Sequence, residues 1–169
     1  MLQSPSKYQP KSYPHWFKLA LPWNLLTPSS PQPYVSTAEF TPESKDDLQA
    51  AIRECLELSS DCSEGPHGPI NSWDVFFVED MSDLFHDAYY NAVPGANDFH
   101  GDISSWDVSR VTSMRRMFAY ASSFNADLSK WDVSRVTNME GMFAGASWFR
   151  SDLSKWDVSK VTTMETMFA

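Results

Sequence analysis

No run of apolar residues in the chain reaches the length of a bilayer span, so the sequence holds no membrane-crossing helix of the ordinary kind. Basic clusters interleaved with aromatics are also missing. With 22 acidic against 13 basic residues and a net charge of −9, nucleic acid is excluded as the expected partner. Cysteine occurs twice, as Cys55 and Cys62, with no CxxC motif. Those two thiols and His67 are too few ligands for a closed zinc site, and no cofactor is implied. No serine stands in a nucleophile-elbow context, and no segment has the density of an EF-hand loop. The four histidines, His15, His67, His86 and His100, neither recur nor pair, and only His86 and His100, flanking one local insertion, are near each other. The expectation is a protein without catalytic residues, metal or cofactor.

What the sequence does have is repetition. From Trp106 to Ala169 it reads WDVSRVTSMRRMFAYASSFNADLSK, WDVSRVTNMEGMFAGASWFRSDLSK and WDVSKVTTMETMFA, a 25-residue unit with Trp106, Trp131 and Trp156 in register. Such a period is the signature of a stacked array. A looser copy lies upstream, with Ile70, Trp73, Val75, Val78, Met81, Leu84, Phe85 and Phe99 at equivalent positions and about eight extra residues inside it. The unit can be laid on the leucine-rich pattern LxxLxL, because Leu128, Trp131 and Val133 take its apolar positions. That spacing predicts a short strand with one buried edge. Met139, Met142, Phe143 and Ala146 follow at i, i+3, i+4 and i+7, which predicts a short helix. Thr137 with Glu140, and Thr162 with Glu165, read as capping boxes, and Gly145 as a helix stop.

The fold class expected from the sequence is therefore an α/β repeat, a leucine-rich-repeat-like solenoid of four coils, each a short strand plus a short helix. Residues 1–38 carry seven prolines, three lysines and no acidic residue, and read as a disordered leader. Within it Trp16 to Leu26 makes a poor signal-peptide core, interrupted by Lys18, Pro22 and Asn24. Residues 39–69 read as a capping helix and loop, with Pro42 at the first helical position and Leu48, Ala51, Ile52, Cys55 and Leu56 on one face. Residues 70–169 hold the four repeats, 70–102 with the insertion, 103–127, 128–152 and an incomplete 153–169. By this register Met167-Phe168-Ala169 stop in mid-helix on an open apolar tier. The expectation there is a chain that continues, or an end covered by a partner or by self-association.

The run WDVSxVTxMxxMF with its Phe-Asn-x-Asp-Leu-Ser turn resembles the BspA-like leucine-rich-repeat surface proteins, whose repeat also occurs in mycoplasma lipoproteins. The resemblance spans about Ile70 to Ala169 and breaks in the first unit, where Phe76-Phe77-Val78-Glu79 replaces Ser-x-Val-Thr. It implies an extracellular or cell-surface module that binds a protein or surface ligand, with an adhesive role and no catalytic site.

The expected binding face is the row of polar residues on the strand side: Asp107 and Ser109, Lys130, Asp132 and Ser134, then Lys155, Asp157 and Ser159. Tyr89 and Tyr90 in the insertion are the second candidate. Cys55 and Cys62 are a candidate disulfide in an oxidising compartment, against the alternative of two free thiols, and their spacing does not choose. Asp102, Asp127 and Asp152 form one acidic ladder, and Asp74, Asp107, Asp132 and Asp157 another. Each carboxylate can accept N–H bonds in its own turn, or the ladders can bind calcium in a structural surface module. An intracellular repeat scaffold is the remaining alternative.

Overall fold

A computed structural model describes residues 40–86 and 93–169. Among these residues there is one α-helix, α1 at Lys45–Leu56. Two 3-10 turns, at Ile70–Ser72 and Ala96–Asp98, are the other helical elements. The expected segment 1–38 and the tyrosines Tyr89 and Tyr90 lie outside the described residues. Helix α1 begins three residues after Pro42, because Ser44 is its cap and accepts from the Asp47 N–H at 3.2 Å. Its face of Leu48, Ala51, Ile52 and Cys55 is buried, while Leu56 is only partly covered.

The α/β solenoid is not what forms. Among the described residues of the four repeats no helix occurs beyond the two 3-10 turns of the first, and the strands reduce to isolated parallel bridges, Asp80 to Ser113, Ser113 to Asn138 and Asn138 to Thr163. Tight turns build the unit instead. In the third unit the Trp131 N–H bonds to the Leu128 carbonyl, Val136 to Val133, Met142 to Met139, and Ala146 to Phe143, each spanning three residues. Two consecutive turns place Leu128, Trp131 and Val133 inward at the very spacing read as a strand.

The helix fails for a backbone reason. Arg116 and Tyr120 have φ of 51° and 62°, Gly141 and Gly145 have 59° and 70°, and Thr166 has 54°. A left-handed residue inside each segment breaks an α-helix at once. Its N–H groups alternate in their partners: Met114, Arg116, Phe118 and Tyr120 donate to Asn138, Glu140, Met142 and Ala144 of the next unit, while Met117 and Ala119 close local turns. Met139, Gly141, Phe143 and Gly145 repeat this toward Thr163, Glu165, Met167 and Ala169. The backbone is thus satisfied mainly between neighbouring units, here called tiers, rather than within a helix.

The threonines read as helix caps serve the same stacking. Thr112, Thr137 and Thr162 donate their hydroxyls to the carbonyls of Glu79, Thr112 and Thr137. The Glu140 N–H is taken by Asn138 Oδ1, so no capping box forms. Between tiers the core is a double file of rings. Phe85, Phe118, Phe143 and Phe168 stack with centroids 5.4, 5.7 and 5.6 Å apart, and Phe99, Phe124 and Phe149 run beside them. Three indole N–H groups cross to the preceding tier: Trp106 to the Ile70 carbonyl, Trp131 to Ile103 and Trp156 to Leu128. Burying a Trp without an acceptor is costly, and these bonds fix the register by one carbonyl per tier.

Candidate functional site: a polar turn row and its flanks

The residues expected to form the binding face lie on the turns that precede and follow each buried Trp. Asp107, Lys130, Asp132, Lys155, Asp157 and Ser159 are exposed, and Ser109 and Ser134 are half-buried. Alternation is a consequence of the turns: Trp131 and Val133 go inward, so Lys130 and Asp132 go outward.

Each aspartate has a local task. The N–H of the residue two positions on donates to its carboxylate, from Ser109 to Asp107 and Ser134 to Asp132 at 3.0 Å, and from Ser129 to Asp127 at 2.9 Å. Ser154 on Asp152 and Ser159 on Asp157 repeat the geometry. Hydrogen bonds from the Ser129 and Ser154 amides and hydroxyls hold the Asp127 and Asp152 carboxyls below the ordinary value of 3.8. The Ser134 and Ser159 hydroxyls and amides do the same for Asp132 and Asp157. Like charges stacked tier on tier act the other way, Asp127 raising Asp102 and Asp157 raising Asp132, and the cations Lys130, Lys155 and Lys160 offset them. Turn hydrogen bonds thus favour the ionised form at Asp102, Asp127, Asp132, Asp152 and Asp157. Among the described residues no three His, Cys, Asp or Glu side chains converge as a metal site would require.

On another flank an ion network spans three tiers. Arg115 lies 3.5 Å from Asp83 and 3.5 Å from Glu140, and Arg116 reaches Glu140 at 3.3 Å. In the first unit, Phe76 and Phe77 take the place of Ser109 and Arg110, and the Arg110 guanidinium lies over the Phe76 ring while pairing with Glu79. His86 is buried with its ring 6.3 Å from that of Tyr120, and the exposed His100 meets the Asp98 carbonyl through Nδ1.

Cys55 and Cys62 are joined as a disulfide with both residues buried. The bridge ties the end of α1 to the loop whose Cys62 carbonyl accepts from Ile70 and whose Ser60 carbonyl accepts from His100. A cleft of about 320 Å³ opens beside it, lined by Asp61, Ser63, Asn71, His100, Gly101 and Asp102 among others.

One family model, described as Mycoplasma protein of unknown function, DUF285, matches residues 54–169, which hold the turn row, the buried Trp and Phe files and the bridged loop. The chain belongs to this family. The DUF285 match opens at the last turn of α1, so it takes in both cysteines and all four tiers. No curated protein matches the chain, and no solved structure matches it.

Two exposed rings have no counterpart in the sequence reading. Tyr120 and Trp148 are 54 % and 71 % exposed, among the most open large side chains of the described residues. The signal was present as departures from the repeat: Gly145 stands at the position of Tyr120, and Ser123 at that of Trp148.

Proposed function

We propose that the DUF285 chain is a non-enzymatic binding module of the BspA-like kind, displayed outside the cell, whose turn row engages a protein or other surface ligand. The observation that supports this most is the fixed row itself. Lys130 and Lys155 stand exposed in successive tiers beside carboxylates that are immobilised by their own turns, so a periodic array of charge is presented at little ordering cost. The buried Cys55–Cys62 bridge supports display in an oxidising compartment.

Charge reversal at both Lys130 and Lys155 is expected to weaken retention of the labelled protein on intact cells and on immobilised matrix glycoprotein, with the melting temperature only slightly lowered by the added repulsion in the Asp ladder. Equal retention by the variant overturns this face. Placement outside the cell has its own check: protein isolated from its source without reductant should carry no thiol that reacts with iodoacetamide after unfolding. Two reactive thiols would sink that placement.

A further inference from the structure

Tyr120 and Trp148 flank one seam between adjacent tiers. The Tyr120 ring lies against Gly145, where an added Cβ would sit 2.7 Å from its Cδ1. Three residues after Gly145, the Trp148 N–H bonds to the Ser122 carbonyl, which also accepts from the Ser147 hydroxyl. The indole N–H of Trp148 makes no bond within the described residues, unlike those of Trp73, Trp106, Trp131 and Trp156.

Three observations set this seam apart. Tyr120 holds a left-handed backbone, φ 62°, which is uncommon for a bulky residue, whereas the equivalent position one tier on uses Gly145. The left-handed turn belongs to the repeat, recurring at Arg116 and Thr166, but the fold does not require an aromatic at it, since glycine serves the same position one tier on. Both rings are exposed departures from the repeat, with Gly145 and Ser123 at the equivalent positions, so they are not needed to build the stack. Finally, the segments that form the seam, 117–126 and 142–149, carry no charged residue in a chain that is 21 % charged.

We infer that the Tyr120–Trp148 seam is a saccharide-binding surface that takes a neutral oligosaccharide chain. The faces of aromatic rings carry negative potential and attract the weakly positive C–H bonds on the flat side of a pyranose. The rim supplies the Ser123 hydroxyl, and the oxygens of Ser122 and Ser147, whose protons go to the Asn97 and Ser122 carbonyls, remain as acceptors for sugar hydroxyls. A charged ligand would gain no ion pair along these segments. This surface is separate from the lysine row and does not depend on it.

The test is isothermal titration of the whole chain with cellohexaose and with chitohexaose. Millimolar or tighter binding of at least one is expected, weakened about tenfold by Trp148→Ala, which at that exposure should leave the melting temperature unchanged. Tyr120→Gly, which relieves the left-handed strain, should weaken binding in the same direction while the chain stays folded. The Lys130→Glu/Lys155→Glu variant should bind the sugar as the parent does, so failure of the lysine face and of this surface are told apart. Binding of neither saccharide, or binding unchanged by Trp148→Ala, overturns the proposal.

Discussion

Trp131 shows how one side chain can set both packing and register. It is 4 % exposed, tilts against Phe118 and donates to the Ile103 carbonyl of the tier before it. Trp131→Ala should therefore cost about 3–5 kcal/mol by the large-to-small rule. Trp131→Phe keeps a ring and leaves the Ile103 carbonyl only its bond from the Trp106 N–H, and should lose a smaller share; urea unfolding of the two variants measures the difference. The aspartates of the turns act through charge. The carboxyls of Asp127, Asp132, Asp152 and Asp157 are held below 3.8 in the folded chain, so the stability they add is complete above that pH and is lost as pH falls through the depressed folded values. The melting temperature is expected to fall below pH 3.8, and Asp132→Asn, destabilising at neutral pH, should differ less from the parent as the medium is acidified.

The turn segments explain what was legible and what was not. The register, the inward Trp, Met and Phe residues, and the helix α1 could all be read from spacing, because burial depends on which residues are apolar and how often they recur. The identity of the elements could not. Leu128, Trp131 and Val133 give one spacing for a strand and for two turns, and Met139, Met142, Phe143 and Ala146 give one pattern for a helix and for alternating turns. What decides is the destination of the N–H groups, which lies in the neighbouring tier and is invisible in a local window. Gly141 and Gly145 were the available hint, and Tyr120 and Arg116 at the same positions concealed it. The candidate binding row was readable for the same reason as the core, being its complement, whereas the Tyr120–Trp148 seam needed the geometry of two tiers. Gly145→Ala tests the alternating backbone directly. It adds a left-handed alanine, about 1–2 kcal/mol, and a clash with the Tyr120 ring, about 1–3 kcal/mol more. In a Tyr120→Gly background only the first penalty should remain, and a double-mutant cycle on melting or urea midpoints reads that coupling. Additive effects would mean that the ring does not cover Gly145.

Because every tier bonds chiefly to the tiers before and after it, the stack behaves as a one-dimensional series of nearly equivalent interfaces. The Trp N–H crossing, the Thr hydroxyl crossing and the parallel bridge recur at the third and fourth tiers with the same partners 25 residues apart. Removing residues 128–152 joins Asp127 to Leu153 and brings Trp156 to the place of Trp131, with the Ile103 carbonyl as its acceptor and Phe143's place in the ring file taken by Phe168. The two sets of crossings made by the removed tier are thereby replaced by one equivalent set, and no indole is left without an acceptor. The shortened chain is expected to fold cooperatively, keep its near-ultraviolet tryptophan signal and retain the Cys55–Cys62 bridge. It should unfold at lower urea with a smaller dependence on denaturant, since less surface is buried. Excising twelve residues from the same unit is the control, because it sets Leu and Trp positions against the wrong carbonyls and leaves indole N–H groups buried without acceptors. If both deletions unfold alike, stability rests on contacts beyond neighbouring tiers and the one-dimensional account fails. If only the full unit is tolerated, the 25-residue period is the physical module of this fold, although it contains neither a helix nor a strand.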